Sequence, residues 1–150
     1  MRSKRGHIWA VTACAVVLAG ACSSTSSDTR TGTPVKAGTD KTVALAARKQ
    51  AAATSFVVDD VNLSGPGYVG VYDDGNGAPG VRVGSSALLS KGDHRNVTVT
   101  LSKAPLGALV YLVAHHEDNG NSHLDFPSGD KPFVSTSGVV LVKVAVTHKK

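Results

Sequence analysis

Cysteine is nearly absent. The 150-residue chain has two, Cys14 and Cys22, both close to the N-terminus. Everything after Cys22 therefore lacks a second thiol, which excludes an internal disulfide and any cysteine-ligated zinc or blue-copper centre. Aromatic residues make up 5% of the chain, and the single tryptophan is Trp9. A core must be built mainly from Val and Leu with a few Tyr and Phe. The N-terminal apolar segment runs only from Ile8 to Ala21, short of the roughly 20 residues that span a bilayer as a helix. A strong excess of one charge is also missing. The net charge is +5, but Arg2, Lys4 and Arg5 precede that apolar segment, and the remainder holds 13 Lys and Arg against 11 Asp and Glu. With no Arg-rich helix and no interleaving of basic and aromatic residues, nucleic acid is not an expected partner.

The N-terminus itself is informative. A basic stretch followed by an apolar one is the layout of an export signal. The segment ends in "LAGAC", small residues directly before Cys22, which resembles a bacterial lipobox with Leu18 one place further from the cysteine than usual. The expectation is a signal peptide over 1–21 and a lipidated Cys22 holding the chain at the outer face of the cell membrane. Each buried CH₂ contributes about 0.8 kcal/mol, so several acyl chains anchor firmly. The alternative is an ordinary signal and a secreted product. Residues 22–41, rich in Ser, Thr, Gly and Asp, read as a flexible tether with a mean span of roughly 25 Å.

From Thr42 onward the chain changes to short apolar runs punctuated by Gly, Pro and Asn. "TVALAARK" and "SFVVDDVNL" read as strands, as do "GYVGVYDD" and "VRVG". In "NVTVTLS", Val97, Val99 and Leu101 alternate with threonines, and in "VVLVKVAVTH" Val140, Val142, Val144 and Val146 share one face. "GALVYLVAHH" is apolar on both faces, as expected of a central strand covered on both sides. Six or seven such strands without a long helix predict an all-β domain over 42–150, an immunoglobulin-like antiparallel β-sandwich of about seven strands.

Chemistry concentrates in "HHEDNGNSHLDF", His115–Phe126. Glu117, Asp118, Asn119, Asn121 and Asp125 offer oxygen ligands around Gly120, the kind of donor set that wraps Ca²⁺, but without the spacing or terminal glutamate of an EF-hand. The competing reading is a turn in which Asn and Asp side chains bond their own backbone. There Asp125 accepts loop N–H groups, and Leu124 and Phe126 pin the loop to the core. His115, His116 and His123 form a second candidate set, for Zn²⁺, Cu²⁺ or Ni²⁺. Neighbouring strand residues face opposite ways, however, so only one of His115 and His116 can join His123. A hydrolase is not expected. "VGSSALL" lacks the G-x-S-x-G form, Ser85 has no evident His/Asp partner, and Ser122 beside His123 is adjacency alone. "DDGNGAPG" lacks the Lys-Ser and helix of a P-loop, and the sequons "NVT" and "NLS" read as strand and turn residues.

The order of several pieces is more specific. "GYVGVYDD", then "GVRVGSSALLSKGDHRNVTVTL", then "LVYLVAHHEDNGNSHLDF" resembles the domain-of-unknown-function family numbered 7282, over about residues 43–148. The resemblance implies a secreted or surface β-sandwich, as found on archaeal and bacterial surface proteins, without established catalytic residues. This chain departs from the family pattern at Tyr72, where a histidine is frequent, and in the shortened "SGDKPFV" with Lys131 and Phe133. A second family of unknown function shares the his-asp-x-asn-gly-asn turn, which makes that turn a recurrent solution. The combined expectation is a lipid-anchored extracytoplasmic module, non-catalytic and without a required cofactor. It would bind or space an envelope protein or polysaccharide, with a Ca²⁺-binding surface module as the alternative.

Overall fold

In the computed structural model the described residues are 30–37 and 43–150. The expected signal peptide, Cys22 and the first and last parts of the expected tether lie outside them. Among the described residues there are ten strands and no helix: β1 Thr31–Ala37, β2 Ala44–Ala51, β3 Ser55–Leu63, β4 Gly67–Asp74, β5 Pro79–Ser85, β6 Gly92–Leu101, β7 Leu109–His116, β8 Val134–Ser135, β9 Gly138–Val139 and β10 Leu141–Thr147. The all-β expectation holds, and each run read as a strand is one. Within the stretch read as a tether, Thr31–Ala37 instead pairs antiparallel with β2, from Thr31↔Lys49 to Ala37↔Leu45.

Seven strands form a hydrogen-bonded ring in the order β2-β10-β7-β4-β5-β6-β3, with β3 returning to β2. Its ladders are antiparallel except β10–β2, which runs parallel through Val146↔Gln50 and Thr147↔Ala51. The immunoglobulin-like antiparallel sandwich is therefore corrected to a closed, mixed, barrel-like sheet. A sandwich needs two sheets with free edges. Here the long ladders group as β10-β7-β4-β5 and β2-β3-β6, and two short seams join them: β2–β10 and the Gly84↔Leu101, Ser85↔Thr100 pairs of β5–β6. Each ring strand has a neighbour on both sides, which shortens the open edges that would recruit other chains, although the β5–β6 and β2–β10 ladders are only two pairs long.

Alternation fills the interior. Val69 and Val71 of β4, Val99 and Leu101 of β6, Val110, Leu112 and Ala114 of β7, and Val140, Val142, Val144 and Val146 at β10 are all buried in one cluster. In β3 the inward residues switch from Phe56 and Val58 to Val61 and Leu63. The cause is a local fault: Val58 pairs Val97 and Asp60 pairs Arg95, while Asp59 and Asn96 drop out of the ladder and Asn96 takes φ 51°. Left-handed backbone is tolerated better by Asn than by most residues. It re-aims the strand without shifting its register.

The same fault supplies a clasp for the ring. The β2–β3 ladder ends at Ala46↔Asp60, leaving later backbone groups unpaired. Asp59 Oδ2 accepts the Arg48 N–H at 2.8 Å, and the Asp59 carboxylate is held by Arg30 at 2.9 Å and Arg48 at 3.3 Å. Buried Gln50 completes the seam: its Oε1 accepts the Val57 N–H and its Nε2 donates to the Val57 carbonyl, both at 2.9 Å. One carboxamide thus stands in for a strand residue. Gln50→Ala leaves both Val57 groups unpaired and is expected to cost about 2–4 kcal/mol in urea unfolding. Gln50→Leu should lose as much despite its larger apolar side chain; a Leu variant as stable as wild type would remove the clasp from the account.

Candidate functional site

The outer face of the ring at β4 and β7 is as apolar as its interior. Tyr68, Gly70 and Tyr72 alternate outward along β4, and Tyr111, Val113 and His115 along β7, and all six are buried. Such a face needs a cover. The chain provides it by running from Glu117 back across these strands before rejoining them, where Phe133 N–H donates to Ala114 O at 2.9 Å. Gly70 is the fitting point: a Cβ there would lie 2.7 Å from the Tyr72 ring and 3.1 Å from Leu124. Leu124 is buried against this gap, its carbonyl accepting from Arg82 at 2.7 Å, and the Phe126 ring lies 5.0 Å from that of His115. The Phe126–Pro127 bond is cis.

Asp130 organises the covering segment. It is fully buried at φ 47°, and its carboxylate accepts the Asp118 N–H at 3.0 Å and the Asp125 N–H at 2.9 Å. Its carbonyl takes the Nδ1–H of His115 at 2.7 Å. Asp118 reciprocates, accepting the Lys131 N–H at 3.1 Å. The expectation that Asp125 would accept loop N–H groups is corrected: Asp130 does so, and Asp125 Oδ2 instead receives the side-chain amides of Asn119 and Asn121 at 2.8 and 2.9 Å.

The oxygen donors singled out in the sequence do gather at the tip, but largely bonded to the loop itself. Glu117 Oε1 accepts the N–H groups of Asn119 and Gly120 at 3.0 and 2.6 Å. Asn119 Oδ1 accepts from Asn121 N–H at 3.1 Å and Asn121 Oδ1 from His123 N–H at 3.0 Å, the local bonding that favours Asn in turns. Glu117 Oε2 accepts a hydrogen bond from the Tyr68 hydroxyl. Asp125 Oδ1 is buried without a hydrogen-bond partner and faces Gly129, where any Cβ would collide with it. Among the described residues no three of His, Cys, Asp and Glu form a group able to hold a metal ion.

The three histidines go separate ways. His115 is fully buried on the outer face, while His116, on the opposite side of the strand, packs against Phe133 with ring centroids 3.5 Å apart. His123 is exposed and bonds the Asn121 carbonyl. A carbonyl only accepts, so His115 carries its proton on Nδ1, and its Nε2 accepts the Tyr72 hydroxyl at 2.9 Å. Burial holds the His115 pKa below its ordinary value; the Asp130 carbonyl bond and carboxylate oppose this, and Arg82 and His116 reinforce it. Burial pushes the Tyr72 phenol up to about 12, with Arg82 working against it, and raises Tyr68 further still with the help of Glu117. Glu117 is lowered, first by the Tyr68 hydrogen bond.

Tyr68, Arg82 and Asp130 were not singled out from the sequence, and Tyr72 only as a departure from the family pattern. For the tyrosines a signal existed: Tyr-x-Gly-x-Tyr over 68–72 puts two large rings and a gap on one strand face, the pattern of a face that something packs against. Nothing local marked Asp130, whose partners lie up to 15 residues away.

With this geometry in place, comparison with known proteins is decisive on kinship. The pattern of the family described as Domain of unknown function (DUF7282) matches residues 41–147. The chain belongs to that family. This DUF7282 chain is also similar to two proteins of Haloarcula hispanica. One is Cell surface glycoprotein 1, 35% identical over 123 residues, covering 81% of this chain and 13% of that protein. The other is Cell surface glycoprotein 2, 32% identical over 96 residues, covering 63% of this chain and 10% of that protein. The DUF7282 chain thus corresponds to a small part of each. No solved structure matches it.

Two measurements check the site as described. Asp130→Ala strips a buried acceptor from two backbone donors and is expected to cost about 3 kcal/mol, whereas Asp125→Ala, whose partners are exposed amides, should cost about 1 kcal/mol or less. Chemical denaturation of both variants compares them directly. His115, neutral in the fold, binds a proton more readily when unfolded. Its contribution is therefore complete above the unfolded value of about 6.5 and is lost as pH falls from there through its lower folded pKa. Unfolding free energy should decline as pH falls below about 6.5 in the wild type and decline less in His115→Gln.

Proposed function

We propose that the chain is a non-catalytic cell-surface module, exported and anchored through lipid on Cys22, that presents its folded domain for binding or spacing at the envelope. Its similarity to parts of two cell surface glycoproteins carries this reading. The chain's export-like N-terminus and its "LAGAC" segment agree with it. Ser122 is exposed at φ 61°, and the neighbouring His123 ring turns to the Asn121 carbonyl. Contacts with an envelope protein or polysaccharide would come from the loops, from the β8–β9 hairpin and from the parts of β5 and β6 beyond their two-pair seam.

A second reading rests on Asp125 Oδ1, buried and unpartnered beside Asn119 and Asn121: the tip could rearrange around Ca²⁺, with Glu117, Asp118 and the two asparagines as further ligands. That exchange would break the bonds that these side chains make to the loop. Under the first reading millimolar Ca²⁺ leaves the melting temperature unchanged. A rise of several degrees that disappears in Asp125→Ala would transfer the assignment to the second. For the anchor, processing in an expressing bacterium should be blocked by globomycin, and Cys22→Ala should move the protein from the membrane fraction to the medium or a soluble envelope fraction. A Cys22→Ala protein that stays with the membrane would refute lipid attachment.

A further inference from the structure

The two ends of the barrel differ, and β1 begins at one of them. Thr31, its first residue, pairs Lys49, and β2 finishes two residues later at Ala51, opposite Thr147, the last residue of β10. The β2–β3 turn and the 102–108 loop between β6 and β7 lie at this end too, where Leu101 N–H donates to Thr54 O and Val146 N–H to Ala108 O, both at 2.8 Å. β7 starts here with Leu109 and leads to the acidic tip at the other end. Only residues 23–29 separate Arg30 from Cys22. Eight residue steps reach at most about 28 Å when fully extended.

The surface of this end is apolar at its tip and basic around it. Leu106 is 82% exposed, more than any other large hydrophobic side chain among the described residues. The loop that carries it is fixed: Pro105 is buried, and the Gly107 carbonyl accepts from the His148 ring at 3.0 Å. Lys49, Lys103, Lys149 and Lys150 are exposed here. The acids at this end are Asp73, which faces Lys103 at 3.6 Å, and Asp74, which accepts the Gly77 N–H at 2.8 Å. The opposite end also exposes apolar side chains, Val134 among them, but Val134 shares its cleft with Asp118, next to Glu117, and an anionic surface repels those carboxylates.

We propose that this end of the barrel docks on an anionic lipid surface, with Leu106 entering the headgroup layer and Lys103, Lys149 and Lys150 lying among the phosphates. Docking rests on the lipid attachment at Cys22 proposed above and adds an orientation to it. The attraction of a lysine to such a surface fades within a Debye length, about 8 Å at physiological ionic strength, so it acts only on an end held close. The short stretch between Cys22 and Arg30 holds this end close. The barrel then stands on the 102–108 loop, and the 117–125 tip points away from the membrane.

Spin labels read the orientation. In the processed, lipidated chain Cys14 has left with the signal and Cys22 is acylated, so Leu106→Cys and Ser122→Cys, both at exposed positions, each give a single labelling site. Once their mass shows the acyl groups, the processed chains are placed in vesicles of phosphatidylcholine with phosphatidylglycerol and of phosphatidylcholine alone. In the anionic vesicles the label at 106 should lose most of its collisions with a water-soluble nickel chelate and keep those with oxygen. The label at 122 should stay as accessible as in water. Protection at 106 should weaken in phosphatidylcholine alone and in the Lys149→Glu, Lys150→Glu double variant. A 106 label as accessible to nickel as the 122 label, protection at 122 instead, or protection indifferent to lipid charge and to the two lysines overturns the docking and leaves the anchor standing. A processed chain of unacylated mass overturns the anchor and the docking with it. Spin–spin broadening at 106 that vanishes on dilution with unlabelled chain assigns this end to a second copy and also overturns the docking.

Discussion

Every strand here must dispose of its backbone N–H and C=O groups, and the fold depends on how it does so where ladders run out. A buried unpaired amide or carbonyl costs on the order of 1–3 kcal/mol, comparable to the whole gain from burying one valine or leucine. At two places side chains replace a missing strand. Gln50 and Asp59 complete the seam between β2 and β3, and Asp130 takes the N–H groups of the segment that crosses β4 and β7. Without the first the seam beyond the Ala46↔Asp60 pair loses its polar partners. Without the second the covering segment has polar backbone buried against aromatic rings and no partner for it.

Local irregularities serve this accounting. The left-handed Asn96 lets β3 and β6 change which residues face inward and frees Asp59 from the ladder. The left-handed Asp130 turns its carboxylate under the loop while its carbonyl reaches His115. That second contact sets the His115 tautomer, which in turn sets the direction of the Tyr72 hydrogen bond. A structural acceptor in a loop thus determines which lone pairs the outer face presents. Packing, backbone satisfaction and surface chemistry here form one connected chain of contacts through three residues.

Much of the fold was legible in the sequence. The valines at 140, 142, 144 and 146 all point inward, and the run at 109–116 is a central strand covered on both faces, because a period of two is a local property that neighbouring residues declare. The turn character of Asn119, Gly120 and Asn121 was legible for the same reason. Asp125 was misassigned because two carboxylates five residues apart are equivalent by spacing, and only the crossing of the loop over Tyr68 and Tyr72 decides which is buried. The strand at 31–37 was missed because a Thr- and Gly-rich segment has little apolar pattern of its own; its pairing with β2 comes from a partner.

The amino-acid sequence by itself determined an all-β chain, the position of its main strands, the identity of most of its core and its kinship. The tertiary structure alone decided that those strands close into a ring with one parallel seam, that Gln50 and Asp59 complete the seam between β2 and β3, and that Asp130 holds the covering segment. The physical reason is range. Alternation and turn preference act between near neighbours, whereas the parallel seam brings Gln50 against Thr147, 97 residues along the chain. Which distant polar groups meet is set by how the whole sheet packs.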